Sequence, residues 1–205
     1  MNYIAIETST NICSVGIFRS NTMIDLIENE EKNSHSKELA NSVKKIIDKN
    51  KISIKSINYI ALSSGPGSFT GLRIGSSFAK GIAFGLNIPI VMVPTLRSLE
   101  FAIKIKEEHN ICVFSHSDQI YFQNFKDGIP TSKIKLISAS DLQSNKKMLF
   151  GYGLEKSTIS LDFTEIKPSA KLIGHLSNLK YKEWVVKDIN DAELNYINNF
   201  NIKKS

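Results

Sequence analysis

The residues best suited to chemistry lie in one glycine-rich run, Ser63-Ser64-Gly65-Pro66-Gly67-Ser68-Phe69-Thr70-Gly71-Leu72-Arg73-Ile74-Gly75. An apolar stretch leads in and a helical pattern leads out, the setting in which backbone N–H groups at a helix start can face an anion. It is not a standard phosphate loop. A Walker motif needs Gly-Lys-Ser/Thr where this chain has Gly71-Leu72-Arg73, and an extra residue before Gly71 breaks the dinucleotide pattern Gly-x-Gly-x-x-Gly. Glycines also permit a tight strand-to-helix turn, so Gly65, Gly67 and Ser68 read either as nucleotide-proximal groups or as packing. Glu7-Thr8-Ser9-Thr10 is a second cluster. Its carboxylate and hydroxyls could approach a nucleotide phosphate or its metal, or could bond the backbone of their own turn. The four histidines, His35, His109, His116 and His175, form no i, i+4 pair and no His-Glu-x-x-His, so no metal ligand is assigned. No serine lies in Gly-x-Ser-x-Gly and no Ser/His/Asp set follows from spacing, so no catalytic residue is assigned either.

The elements that must hold these groups follow from hydrophobic period. Residues 3–7, 12–19 and 22–28 read as three consecutive antiparallel strands joined by short connections. Residues 34–48 place Leu39, Val43, Ile46 and Ile47 on one face of an amphipathic helix, with Ser34 or Ser36 as its N-cap and His35 at its start. A strand at 57–64, the glycine run, a helix at 72–86 and a strand at 88–93 complete a first half. A helix over 95–108 connects to strands at 111–115, 119–125 and 133–137, with Asp127-Gly128 as a turn. A short helix at 140–144, a strand at 147–150 and a helix over 168–179 follow, and the tail from 184 is polar and rich in Asn. The half-way restart predicts an α/β protein with a mixed five-stranded sheet flanked by helices, used twice, divided as 1–94 and 95–205.

The helix after the glycine run carries Gly75, Ser76, Ser77, Ala79, Gly81, Ala83 and Gly85. Each interior Gly costs about 1 kcal/mol relative to Ala, so close approach of another element must compensate. Phe78, Ile82 and Leu86 lie beside these small residues. Packing on its own sheet explains one face; a second subunit explains a helix that is small or apolar almost all round.

The chain has 205 residues and a net charge of +6, with 41% hydrophobic and 22% charged residues, which excludes disorder and a collagen-like structure. All of its 26 basic residues but Arg19, Arg73 and Arg97 are lysines, spread along the chain, a compositional bias more than a nucleic-acid footprint. Cys13 and Cys112 lie far apart in apolar runs and read as buried thiols of a cytoplasmic protein. No run reaches the roughly 18 apolar residues of a membrane helix.

Tyr3-Ile4-Ala5-Ile6-Glu7-Thr8-Ser9-Thr10 with Cys13-Ser14-Val15, Ser34-His35-Ser36-Lys37-Glu38-Leu39, and the run from Gly65 to Gly75 continuing to Lys80-Gly81 together resemble the bacterial TsaB (YeaZ) family. The similarity is close over 3 to about 100; Gly151-Tyr152-Gly153 and Asn195-Tyr196-Ile197 look like remnants of later family segments. Glu7 stands where the family commonly has Asp, and Phe114-Ser115-His116-Ser117-Asp118 stands in place of its Asp-Ala-Arg.

The resemblance implies an actin-like ATPase (ASKHA, RNase H-like) fold with two related subdomains. It also implies a noncatalytic part in making threonylcarbamoyladenosine beside the tRNA anticodon. The implied partners are a TsaD-type transferase, bound through a bundle of the first two helices of each protein, a TsaE-type ATPase, and tRNA through the complex. ATP, ADP and a metal ion would belong to that complex and not to this chain. Carried onto this sequence, the contact helices are 36–48 and 72–86, with His35, Leu39, Val43, Ile46, Arg73, Ser77, Phe78 and Ile82 as interface residues. Apolar burial at about 25 cal/mol per Å² would drive their docking, and the same surface would serve self-association when the chain is alone. Three other readings stand beside this: an ATP-dependent small-molecule kinase of the same superfold using Glu7, Thr8 and the loop from Gly65, a peptidase, and a direct RNA-binding module.

Overall fold

The computed structural model describes residues 1–30, 35–143 and 147–197. β1 (Asn2–Glu7), β2 (Cys13–Arg19) and β3 (Thr22–Asn29) form an antiparallel succession. α1 (His35–Lys49) leads to β4 (Ile57–Ser63), parallel to β1, and α2 (Phe69–Leu86) leads to β5 (Ile90–Val93), parallel to β4. The expected mixed five-stranded sheet is present, in the order β5-β4-β1-β2-β3, and a two-residue strand from late in the chain extends its β5 edge.

Both faces of this sheet are covered, which is why its central strands read as unbroken apolar runs. Ile4, Ile6, Val15, Ile17, Ile60 and Leu62 point to the side of α1 and α2. Tyr3, Ala5, Phe18, Tyr59, Val91 and Val93 point to the other side. The alternation is the two-residue period of a strand used twice.

In the second half, α3 (Thr95–Glu100) precedes β6 (His109–Phe114) and β7 (Gln119–Lys126), an antiparallel pair. β8 (Ile129–Pro130) and β9 (Lys135–Ser138) both pair with β7; α4 (Ser140–Gln143) leads to β10 (Met148–Tyr152), parallel to β6, and β11 (Thr164–Glu165) lies outside β10. The order antiparallel strands, helix, parallel strand repeats that of the first half. α5 (Ala170–Leu179), α6 (Tyr181–Trp184) and β12 (Val185–Val186) follow, and β12 is the added edge strand of the first sheet.

One expectation changes. The connecting helix stops at Glu100 instead of running to 108, because Ile103-Lys104-Ile105-Lys106 alternates with a period of two: the isoleucines are half-buried against the second core and the lysines exposed. Packing crosses the expected division at 94/95. Ala170, Ile173 and Leu176 of α5 complete the core on the Tyr3 side of the first sheet, while Leu96 and Leu99 of α3 sit in the core of the second. Each half is therefore covered by a helix that follows the other half's strands. Gly174 makes the α5 contact close, since a Cβ there would lie 2.2 Å from the Phe18 ring. The proposed cap Ser34, the end of the short helix at Ser144 and the tail beyond 197 lie outside the described residues. Among the described residues no helix is long and apolar enough to cross a membrane.

Candidate functional site

The turn after β1 and the loop before α2 meet, as both sequence clusters require, but they fill each other's space. The Ser68 N–H donates to the Ser9 carbonyl at 2.6 Å, and the Gly71 N–H donates to Ser68 Oγ at 3.2 Å, so these amides at the helix start are already used. A Cβ on Gly67 would lie 2.1 Å from the Ser9 carbonyl oxygen, and one on Gly75 2.2 Å from Thr8 Oγ1. Gly65, at φ +97°, opens the loop in the left-handed region that glycine tolerates. His35, expected at a partner interface, instead reaches into this cluster, where Nε2 lies 2.8 Å from the Thr10 carbonyl oxygen.

Glu7 is wholly buried and accepts from the Ser9 N–H through Oε1, while its Oε2 and Thr8 Oγ1 have no partner among the described residues. Burial pushes the Glu7 carboxyl above its ordinary range, against the opposing pull of the Ser9 contacts. Where the cluster meets the second half, a cavity of about 180 Å³ is lined by Ser9, Asn11, Ser68, Phe114, Tyr152 and Lys156, among others. A neighbouring cavity of about 370 Å³ is lined by Thr10, Asn11, His35, Ser36, Ser68, Thr70, Gly71 and Ile74. Glu7, Thr8, Ser9, Gly65, Gly67 and Ser68 are thus brought together, with Gly67 packed directly against the Ser9 carbonyl. Among the described residues no group of three or more His, Cys, Asp or Glu side chains could hold a metal ion.

The remaining interface candidates separate into two groups. Leu39, Val43 and Ile46, at 1%, 5% and 0% exposure, lie in the chain's own core against the first sheet. The apolar stripe of α1, expected at a partner interface, is packed against the chain's own first sheet. Phe78 and Ile82 are half-buried against the same core, whereas Arg73 and Ser77 are exposed. With Gly81, Phe84 and Gly85 these two form one outward face of α2, at the spacing of successive helical turns. A Cβ on Gly81 or Gly85 would meet nothing within 4 Å, and Phe84 is 78% exposed. Sequence reasoning did not single out Phe84; its place one turn beyond Gly81, on the row of Arg73 and Ser77, was the available signal. It also missed the cluster at the start of α2, where Phe69 and Tyr196 flank Arg73.

Two mixed sheets flanked by helices define an α/β protein with the actin-like ATPase fold. A family model described as TsaD, tRNA N6-adenosine threonylcarbamoyltransferase, matches residues 27–152. The chain is 38% identical over 96 residues to the tRNA threonylcarbamoyladenosine biosynthesis protein TsaB of Buchnera aphidicola subsp. Schizaphis graminum, which covers 47% of this chain and 45% of that protein. It is 35% identical over 102 residues to the TsaB of Escherichia coli K12, covering 48% and 42%. The matches thus span less than half the length of these curated relatives. A solved structure of an uncharacterized Pseudomonas aeruginosa protein with similarity to peptidase YEAZ shares the fold, with a TM-score of 0.79 at 21% identity over 96% of this chain and 99% of that one. The chain belongs to the family of the matching model and, within it, to the TsaB (YeaZ) group.

Proposed function

We propose that this chain is a noncatalytic subunit in tRNA threonylcarbamoyladenosine synthesis, and that it binds and activates a TsaD-type transferase through the outward face of α2 and the adjoining side of α1. The observation that carries this reading is the face itself. Gly81 and Gly85 open onto empty space beside an exposed Phe84. Among the described residues nothing compensates for the roughly 1 kcal/mol that each of these glycines costs the helix. A second helix laid along the face would do so, with the small residues allowing close approach and Phe84 filling a recess on the partner. The names of the relatives point to the pathway, and the family model to a transferase related to this chain.

In this reading the chain is cytoplasmic, a TsaE-type ATPase joins the assembly, and tRNA is met through the complex. ATP, ADP and the metal ion are held by the partners, consistent with the filled space between Ser9 and Gly67. Without the transferase, the α2 face supports self-association.

Phe84→Asp tests the assignment, since an exposed side chain can change without loss of the fold. Titration calorimetry with the transferase of the same organism is expected to show affinity lowered more than tenfold at unchanged melting temperature. Wild-type affinity in the variant would sink the reading. Titration of the isolated chain with ATP and magnesium is expected to give no heat of binding, and tight binding with turnover would favour the kinase instead.

A further inference from the structure

We propose that Arg73, held between Phe69 and Tyr196, is a preformed receptor for a carboxylate of the transferase, and that the C-terminal segment carrying Tyr196 is therefore part of the docking face. This rests on the α2 face being the transferase-binding surface. The Arg73 guanidinium carbon lies 3.7 Å from the centroid of the Phe69 ring and 6.0 Å from that of Tyr196. Its Nε–H donates to Tyr196 Oη at 3.3 Å, and the two rings are 5.3 Å apart.

Tyr196 is not a loose end. Ala192 is buried in the core on the α2 side, Leu194 packs against the same core, and Asn195 donates to Ser64 twice, from its N–H to the carbonyl at 2.7 Å and from Nδ2 to Oγ at 3.1 Å. The backbone that delivers Tyr196 to Arg73 is thus fixed by the loop before α2.

An exposed arginine ordinarily gains little from an ion pair, because a long side chain must be ordered to make it. Here the ordering is done within the chain by stacking and one hydrogen bond. Among the described residues the terminal amino groups of Arg73 make no hydrogen bond, and their fork matches a carboxylate in bidentate geometry. Phe69 and Tyr196 keep 50% and 38% of their surface exposed, so the cluster has the aromatic and arginine composition of a binding hot spot. The exposed residues of neighbouring α1 include Lys37, Lys44 and Lys45, whose sign favours an acidic partner. A tRNA phosphate shares that charge preference. The continuity of the cluster with Ser77, Gly81 and Phe84 favours a protein, since small and apolar groups add nothing to phosphate contacts.

Calorimetric titration of the full chain with the same transferase tests this, using Arg73→Lys, which keeps the charge but loses the fork and the planar stack, and Tyr196→Ala, which removes the tether. Both are expected to bind about tenfold more weakly or worse. If Tyr196→Ala also lowers the melting temperature, Arg73→Lys decides. Wild-type affinity in Arg73→Lys together with lost binding in Phe84→Asp overturns this inference and leaves the α2 assignment standing; no binding by the wild type overturns both. A titration with tRNA alone supplies the remaining arm: if Arg73→Lys weakens tRNA binding and leaves transferase affinity unchanged, the receptor serves nucleic acid and the proposal fails.

Discussion

Glu7 shows how one side chain can be singled out by sequence before its surroundings are known. Its carboxyl is buried among Thr8, Ser9 and Ser63, and among the described residues no cation offsets that burial, so the folded state favours the protonated form. With the folded pKa raised above the unfolded one, the folded state holds the proton longer. The stability linked to Glu7 is therefore fully present at low pH and is lost as pH rises through the ordinary carboxylate range toward the raised value. Glu7→Gln keeps the acceptor for the Ser9 N–H and removes the charge. It is expected to raise the melting temperature at pH 7 to 8 and to flatten the pH dependence relative to wild type. Thermal melts from pH 4 to 9 check this, and a variant that is less stable at pH 8 would argue that the carboxylate is held for a bound group. That Glu7 stands at a turn was legible from the residues around it. That the turn is filled from above by Gly67 was not, because a glycine run looks the same whether it faces a ligand or a neighbouring carbonyl.

The two helices separate what periodicity can and cannot say. The stripe Leu39, Val43, Ile46 announced α1 and its buried side correctly, but not whether that side meets the chain's own sheet or another molecule. In α2 the glycines fall into two kinds that look alike in sequence. Gly71 and Gly75 press against Thr8, while Gly81 and Gly85 face open space. Gly75→Ala is expected to destabilise the chain by about 1–3 kcal/mol through overpacking. Gly81→Ala should stabilise the isolated chain by about 0.5–1 kcal/mol, because the helix gains propensity with no clash. The same substitution is expected to weaken transferase binding, as the added methyl holds the partner helix away. Urea unfolding and calorimetry on both variants measure the two effects. A Gly81→Ala chain that gains stability and keeps its affinity would place the close approach elsewhere on α2.

The repeated strand order was readable because each half restarts with antiparallel strands of similar length. The exchange of α3 and α5 between halves was not, since nothing in an amphipathic helix names the sheet it will cover. Its consequence is that neither half closes alone. A chain ending at Pro94 keeps all five main strands of the first sheet, yet leaves Tyr3, Phe18 and Tyr59 uncovered. It is expected to show no cooperative thermal transition, whereas the full chain unfolds in one; a cooperative melt of 1–94 would mean that α5 is dispensable.

The late return of α5 also bears on how the protein is made. Synthesis is vectorial and domains ordinarily fold as they emerge from the ribosome. Here the stacked rings of Tyr3, Phe18 and Tyr59 wait for Ala170, Ile173 and Leu176. The nascent first half therefore carries an uncovered aromatic sheet face until α5 has emerged. Tyr196 arrives later still, so the proposed docking face is complete only after α5 and the segment that follows it have been made.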